Sequence, residues 1–139
     1  MIRTMDRKLV LSTLWIFATL NYVYADVFNL YFDTEAIKQV QAGYIGSMRI
    51  TQGLVLGFAI LIETAIAMVL LSRVLPYVAN RWANVVVAIL QTASVAFSSL
   101  GGGLTVYYAM FAIVEIACTL FIVWYAWTWR APHSVEVSA

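Results

Sequence analysis

Four long apolar runs dominate the chain, and each carries one strongly polar residue near its midpoint: Asn21, Glu63, Gln91 and Glu115. The runs extend from about Leu9 to Phe32, Ile50 to Ser72, Ala83 to Ser99 and Thr105 to Trp129. Each approaches the ~20 residues with which a helix crosses the hydrocarbon core of a bilayer, the third being the shortest. Hydrocarbon solvates neither an amide nor a carboxyl, so the four polar side chains are expected to turn inward and meet. The pattern predicts an all-α, four-transmembrane-helix bundle with a polar layer at mid-depth.

The punctuation between runs agrees. Pro76, within Leu75-Pro76-Tyr77, separates the second run from the third, and Gly101, Gly102 and Gly103 separate the third from the fourth. Pro132 is expected to stop the fourth. The longest connection, Asp33 to Arg49, has a pattern of its own. Asp33 or Thr34 can cap a short helix with Ala36, Ile37, Val40 and Tyr44 on one face and Gly43 at its end. Such a stripe suits an interfacial helix, a lid over the bundle; a solvated connector with a helical turn is the alternative. A faint echo links Phe58-Ala59-Ile60-Leu61-Ile62-Glu63 with Phe111-Ala112-Ile113-Val114-Glu115, one residue shorter.

Composition narrows the class. Hydrophobic residues make up 63% of the chain, charged residues 11%, and mean hydropathy is +0.87. A soluble domain of 139 residues could not hide that much apolar surface, so the lipid bilayer is the first expected partner and one compact domain the expected count. A net charge of +1 excludes nucleic acid, which would demand a basic face. The single cysteine, Cys118, has no partner for an intrachain disulfide or dithiol chemistry and reads as a small core residue.

Charge also sets the orientation. With the N-terminus inside, Arg3, Arg7, Lys8, Arg73, Arg81 and Arg130 lie in the cytoplasm and only Lys38 and Arg49 outside; six against two favours N-in, C-in in a bacterial-type plasma membrane. Trp82, Trp127 and Trp129 would mark the inner headgroup boundary, and Tyr31, Tyr44, Tyr107 and Tyr108 the outer one. Arg7-Lys8, the following apolar stretch and Val23-Tyr24-Ala25 resemble a cleavable secretory signal. The apolar run continues to Phe32, however, which is long for a signal, so a retained helix is expected.

Helical spacing gathers the polar residues into stripes: Tyr22, Asp26 and Asn29 with Asn21 beside them; Gln52 and Glu63; Asn84, Gln91, Ser94 and Ser98; and Tyr108, Glu115, Cys118 and Thr119. Asp26 sits about 7–8 Å further out than Asn21 at the helical rise. A charged carboxylate at mid-membrane costs at least ~2.5–3.5 kcal/mol, and no lysine or arginine lies at that depth. Glu63 and Glu115 are therefore expected to be protonated, paired with Asn21 or Gln91, or open to a wet cavity. Two readings stand side by side. In one, Asn21, Tyr22, Asp26, Glu63, Gln91 and Glu115 form a site for a proton or a small polar or cationic ligand. In the other, carboxyl–amide hydrogen bonds fix the helices' register.

Other signals mostly exclude. Gly53-Leu54-Val55-Leu56-Gly57 is a GxxxG that lets helices approach closely, and packing inside the bundle is its expected use. The only histidine, His133, follows Pro132, so no haem or zinc site with a histidine ligand is expected within the membrane. The acids also lack the Glu-x-x-His motifs of di-iron carboxylate sites. With no nucleotide loop and no activated nucleophile, the sequence suggests no enzyme and no cofactor.

Leu14-Trp15, Asn21-Tyr22-Val23-Tyr24-Ala25-Asp26, Asn80-Arg81-Trp82-Ala83-Asn84, Glu115 and Val123-Trp124-Tyr125-Ala126-Trp127-Thr128-Trp129-Arg130 together resemble an uncharacterised family of small prokaryotic four-span membrane proteins. The resemblance covers nearly the whole chain. Asp26 and Glu115 are the acids it carries over, and it implies the four-span topology without naming an activity. In hydropathy and in its long first loop the chain is also similar to DoxX-like four-helix proteins.

The expected function is a non-enzymatic membrane protein whose polar core binds or senses a small ligand, or that supports a homo-oligomer or larger membrane complex. A proton-coupled transporter using Glu63 and Glu115 is the alternative. An accessory subunit or membrane-embedded enzyme acting on a lipid or quinone is a further one.

Overall fold

The computed structural model describes residues 6–100 and 105–131. Among them, four long helices are apolar and long enough to cross a membrane: α1 (Arg7–Phe32), α3 (Gln52–Val74), α4 (Tyr77–Leu100) and α5 (Val106–Trp127). A short helix, α2 (Thr34–Gln41), and a hairpin of β1 (Tyr44–Ile45) and β2 (Met48–Arg49) connect α1 to α3. Gly101 to Gly103 and Pro132 lie outside the described residues.

The long helices alternate in direction and pack in a ring, α1 on α3, α3 on α4, α4 on α5 and α5 on α1, with the α3–α4 seam the sparser one. Cross-links tie together the end where α1 begins, α3 turns into α4 and α5 finishes; we call this the terminal end. Lys8 Nζ donates to Leu75 O at 2.8 Å, Arg7 Nη1 to Tyr125 O at 2.8 Å, and Tyr77 Oη to Trp129 O at 2.6 Å. The first two bonds place cations on carbonyls that helix C-termini leave without intrahelical donors, where the helix dipole also favours positive charge. Arg7 lies 4.6 Å from the centroid of the Tyr125 ring and Arg81 5.2 Å from that of Trp127.

The third long helix of the sequence pattern is expected from Ala83 but begins at Tyr77. Pro76 sets that start through the backbone: Leu75 is extended, as a residue before proline prefers, and Asn80 N donates to Pro76 O at 2.8 Å. Hydropathy misses the first turns because Asn80, Arg81 and Asn84 are polar. At its other end the last helix stops at Trp127, with Thr128 as its C-cap, before Pro132 is reached.

In the first connection Asp33 caps α2, its carboxylate accepting from Glu35 N and Ala36 N at 3.0 Å each. Gly43 adopts φ +85°, the left-handed conformation that ends a helix readily. The helix packs on α1 and β1 and contains no buried residue, so it lies beside the long helices instead of lidding them. The two-strand hairpin departs from the sequence expectation. Its signal is Gly46-Ser47, a two-residue turn whose glycine sits at φ +57°.

Burial is uneven along the helix axes. The core joins Leu11, Trp15 and Ala18 of α1 to Ala65 and Met68 of α3, Val85 and Ala88 of α4, and Cys118, Ile122 and Ala126 of α5, all toward the terminal end. In the opposite half, α3 has no buried residue from Gln52 to Thr64, α4 has none after Gln91, and α1 has only Ala25 beyond Ala18. The helices pack tightly at the terminal end and open toward the hairpin end.

Candidate functional site in the seam of α1 and α5

The polar groups divide between these two halves. In the terminal half, Trp15 Nε1 donates to Asn84 Oδ1 at 2.7 Å, and Ser72 Oγ to the same oxygen at 3.2 Å. Asn84 Nδ2 reaches Asn80 Oδ1 and O at 2.7 and 2.8 Å, while Asn80 Nδ2 donates to Ser72 O at 2.6 Å. Ser12 Oγ donates to Val69 O at 2.8 Å and accepts from Arg73 Nε at 2.9 Å. Trp15, Ser12, Ser72, Asn80 and Asn84 are all fully buried. This hydrogen-bonded network clamps α1, α3 and α4 together, and each of its side chains has a partner.

The mid-depth layer takes a different form from the one the sequence pattern suggests, in which Asn21, Glu63, Gln91 and Glu115 meet. Gln91 is buried, but Nε2 donates across to Leu61 O at 2.6 Å and Thr64 Oγ1 at 3.1 Å, serving as an α3–α4 tie. Asn21 is half-buried and donates to Phe17 O of its own helix at 3.0 Å. Glu63 is exposed, on the side of α3 turned away from the other helices. Among the described residues Glu115 alone of the acids is buried, tenth of the 22 residues of α5.

The echo between α3 and α5 explains the split fate of the two glutamates. In α5, Phe111 and Glu115 are four residues apart and share a face. In α3, Phe58 and Glu63 are five apart, which rotates the carboxyl about 140° away from its phenylalanine. One inserted residue turns an inward acid into an outward one.

Around Glu115 lie the other polar residues of the α1–α5 seam. Tyr22 and Asp26 lie on α1, which packs on α5, and Cys118 Sγ, one turn further along, donates to Leu14 O at 3.6 Å. Toward the hairpin end, Phe28 packs against Phe111 and Tyr107 with ring centroids 5.5 and 6.0 Å apart. Glu115 Oε1, Tyr22 Oη and Tyr107 Oη are all buried without a hydrogen-bond partner among the described residues. Asp26 is exposed and opens the seam to the outside. Asn29, on the same stripe, is half-buried.

Buried polar atoms are ordinarily paired, because an unpaired one forfeits its hydration without return. The seam thus holds acceptor capacity that the described residues do not fill: two carboxyl groups and two phenolic oxygens, with no lysine or arginine along this stretch of either helix. It can take a proton or a donor-rich molecule. Of the sequence-predicted residues, Tyr22, Asp26 and Glu115 converge here, whereas Asn21, Glu63 and Gln91 do not join them. Tyr107 is a further member. The sequence places it among boundary aromatics, yet its i, i+4, i+8 spacing with Phe111 and Glu115 puts it on the same side of α5.

No curated protein and no solved structure matches this chain, so the DoxX-like likeness has no counterpart in these comparisons. One family does match, over residues 3–135, nearly the whole length and both halves of the seam. The chain belongs to the family of unknown function DUF6326.

Proposed function

We propose that this is a non-enzymatic membrane protein that binds a small cationic, hydrogen-bond-donating ligand in the α1–α5 seam. The observation that carries the reading is that Glu115 Oε1 and Tyr22 Oη, on the two packed helices of the seam, are buried without a hydrogen-bond partner among the described residues. A primary ammonium group offers three donors and a positive charge, the complement of two acids and a phenol. Glu115 and Asp26 would hold the charge, Tyr22 and Tyr107 would complete the donor and acceptor set, and Phe28 and Phe111 would shield the site. The cations clustered at the terminal end favour placing that end in the cytoplasm of a bacterial-type plasma membrane. The site would then open outward, and a phosphatase active only outside the cytoplasm is expected to stay inactive when fused after Ala139.

The exposure of Asp26 beside the buried Glu115 favours one second reading, proton-coupled transport along the same seam. Infrared difference spectroscopy on reconstituted protein tests both, with methylammonium, trimethylammonium and neutral isobutane-sized alcohols as probes. We expect a carboxyl band change with methylammonium that is absent from Glu115→Gln and from the alcohol controls. A spectrum that no cation alters, or one altered equally in Glu115→Gln, would overturn the ligand site. A band responding to pH but to no cation would promote the transport reading.

A further inference from the structure

The outward face of α3 is built as a helix-pairing seam with one carboxyl at its centre. Gly53, Leu56, Ile60, Glu63, Ala67 and Leu70 follow alternating spacings of three and four, the repeat with which two helices interlock at a small left-handed crossing angle. All are exposed but Ala67, which is half-buried, and Glu63 points almost opposite to the buried residues Ala65, Met68 and Ser72. Among the described residues nothing packs on this seam. A Cβ built on Gly57 meets nothing within 4 Å, and one on Gly53 meets only Thr51 Oγ1 at 4.0 Å. The GxxxG expected to pack inside the molecule therefore faces out, where its small residues permit close approach.

Glu63 decides what covers this face. It is twelfth of the 23 residues of α3, the midpoint of a membrane-length helix, and its side chain makes no hydrogen bond among the described residues. Lipid tails leave a carboxyl there without any partner. A different protein would have to present a polar group at the same depth. A second copy does so automatically: a two-fold axis along the membrane normal sets two α3 helices side by side in the same direction, and every seam residue meets itself at its own depth. A carboxylic acid is self-complementary, since its hydroxyl donates and its carbonyl accepts.

We propose that two copies of this chain pair through the outward seam of α3, with the two Glu63 side chains hydrogen-bonded to each other at its centre. This is independent of the ligand reading, because the α1–α5 seam lies on other helices. Loss of the dimer leaves the infrared response of Glu115 as its own test. A single polar residue in an otherwise apolar pairing seam also fixes register, so the contact is specific as well as adhesive.

The test is energy transfer between donor- and acceptor-labelled protein in phosphatidylcholine vesicles, read as a function of dilution in lipid. Wild type is expected to dimerise and Glu63→Gln to keep the dimer, since an amide both donates and accepts. Glu63→Leu should weaken it about tenfold, the scale of the two interhelical hydrogen bonds that a carboxyl pair makes. Disulfide trapping provides a readout in otherwise native protein: Ile60→Cys should cross-link on oxidation and Ile62→Cys should not, the buried Cys118 setting the background. A wild type that stays monomeric at every density, a Glu63→Leu dimer as tight as wild type, or preferential cross-linking at Ile62 would each overturn the proposal. If Glu63→Leu fails to fold, the Ile60 and Ile62 pair decides alone.

Discussion

The two halves of this molecule handle buried polarity in opposite ways. At the terminal end, Trp15, Ser72, Asn80 and Asn84 are fully buried and bonded to one another, and cations cover the helix C-termini. Toward the hairpin end, Tyr22, Tyr107 and Glu115 bury polar atoms that nothing in the described chain satisfies. A saturated network stabilises only the fold, because every donor and acceptor is already spent. An unsaturated cluster costs stability, and the ligand proposed above would supply the missing partners. Arg81 Nε, also without a hydrogen-bond partner, is the exception at the terminal end; its guanidinium lies over Trp127, which compensates in part.

The most damaging substitution should be one that cuts the saturated network. Asn84→Leu strands Trp15 Nε1, Ser72 Oγ and Asn80 Oδ1 together, all on fully buried residues. At about 1–3 kcal/mol per buried group left unpaired, partly relieved by rearrangement, we expect a loss of about 3 kcal/mol. Denaturation in mixed micelles followed by circular dichroism measures it. A loss below about 1 kcal/mol would mean that the terminal half is no more committed to its hydrogen bonds than the hairpin half.

The hairpin half should respond with the opposite sign. Glu115→Leu removes a buried carboxyl that has no partner and replaces it with a side chain of similar volume. Stability is expected to rise by about 1 kcal/mol while the response to methylammonium disappears. A residue whose removal stabilises the fold and abolishes binding is hard to explain as packing. If Glu115→Leu instead destabilises the protein as much as Asn84→Leu does, Glu115 has partners in the membrane and the contrast between the halves fails.

Sequence reading reached the helices more securely than the polar layer, and particular residues show why. Long apolar runs identify spanning helices by bulk hydropathy, which needs no partner information, and Asp33 and Gly43 announce the α2 boundaries through local backbone chemistry. Which side of a helix faces its neighbours is another matter. Helix α3 is apolar all round, so Glu63 offers no sequence contrast between an inward and an outward face, and mid-depth alone suggested pairing with Gln91. The structure turns Glu63 out and gives Gln91 to the α3 backbone. The Asn80–Asn84 pair was visible as a motif, but its function depends on Trp15 and Ser72 arriving from two other helices. Tyr22, Asp26 and Glu115 share the seam because each is polar on a helix stripe that also carries core residues.

The smallest effect is expected at the boundary between the halves, and it measures how sharp that boundary is. Thr92 Oγ1 and Thr119 Oγ1 are 2.7 Å apart, joining α4 to α5 one turn from Glu115 toward the terminal end. Each hydroxyl has one hydrogen, so one donates across the pair while the other donates within its own helix, with Ala88 O 2.8 Å from Thr92 and Glu115 O 3.0 Å from Thr119 as the available acceptors. Thr119→Val therefore removes one interhelical hydrogen bond and leaves Thr92 with its intrahelical acceptor, while the added methyl keeps the volume. Such bonds in membranes average about 0.6 kcal/mol, so a loss of about that size is expected in the same denaturation assay. A loss of about 2 kcal/mol, roughly threefold that average, would show that the saturated network continues through Thr119 and ends only at Glu115 itself. The unpartnered carboxyl would then sit directly on the edge of the rigid half, where a ligand's arrival could be felt by α4 as well as by α1 and α5.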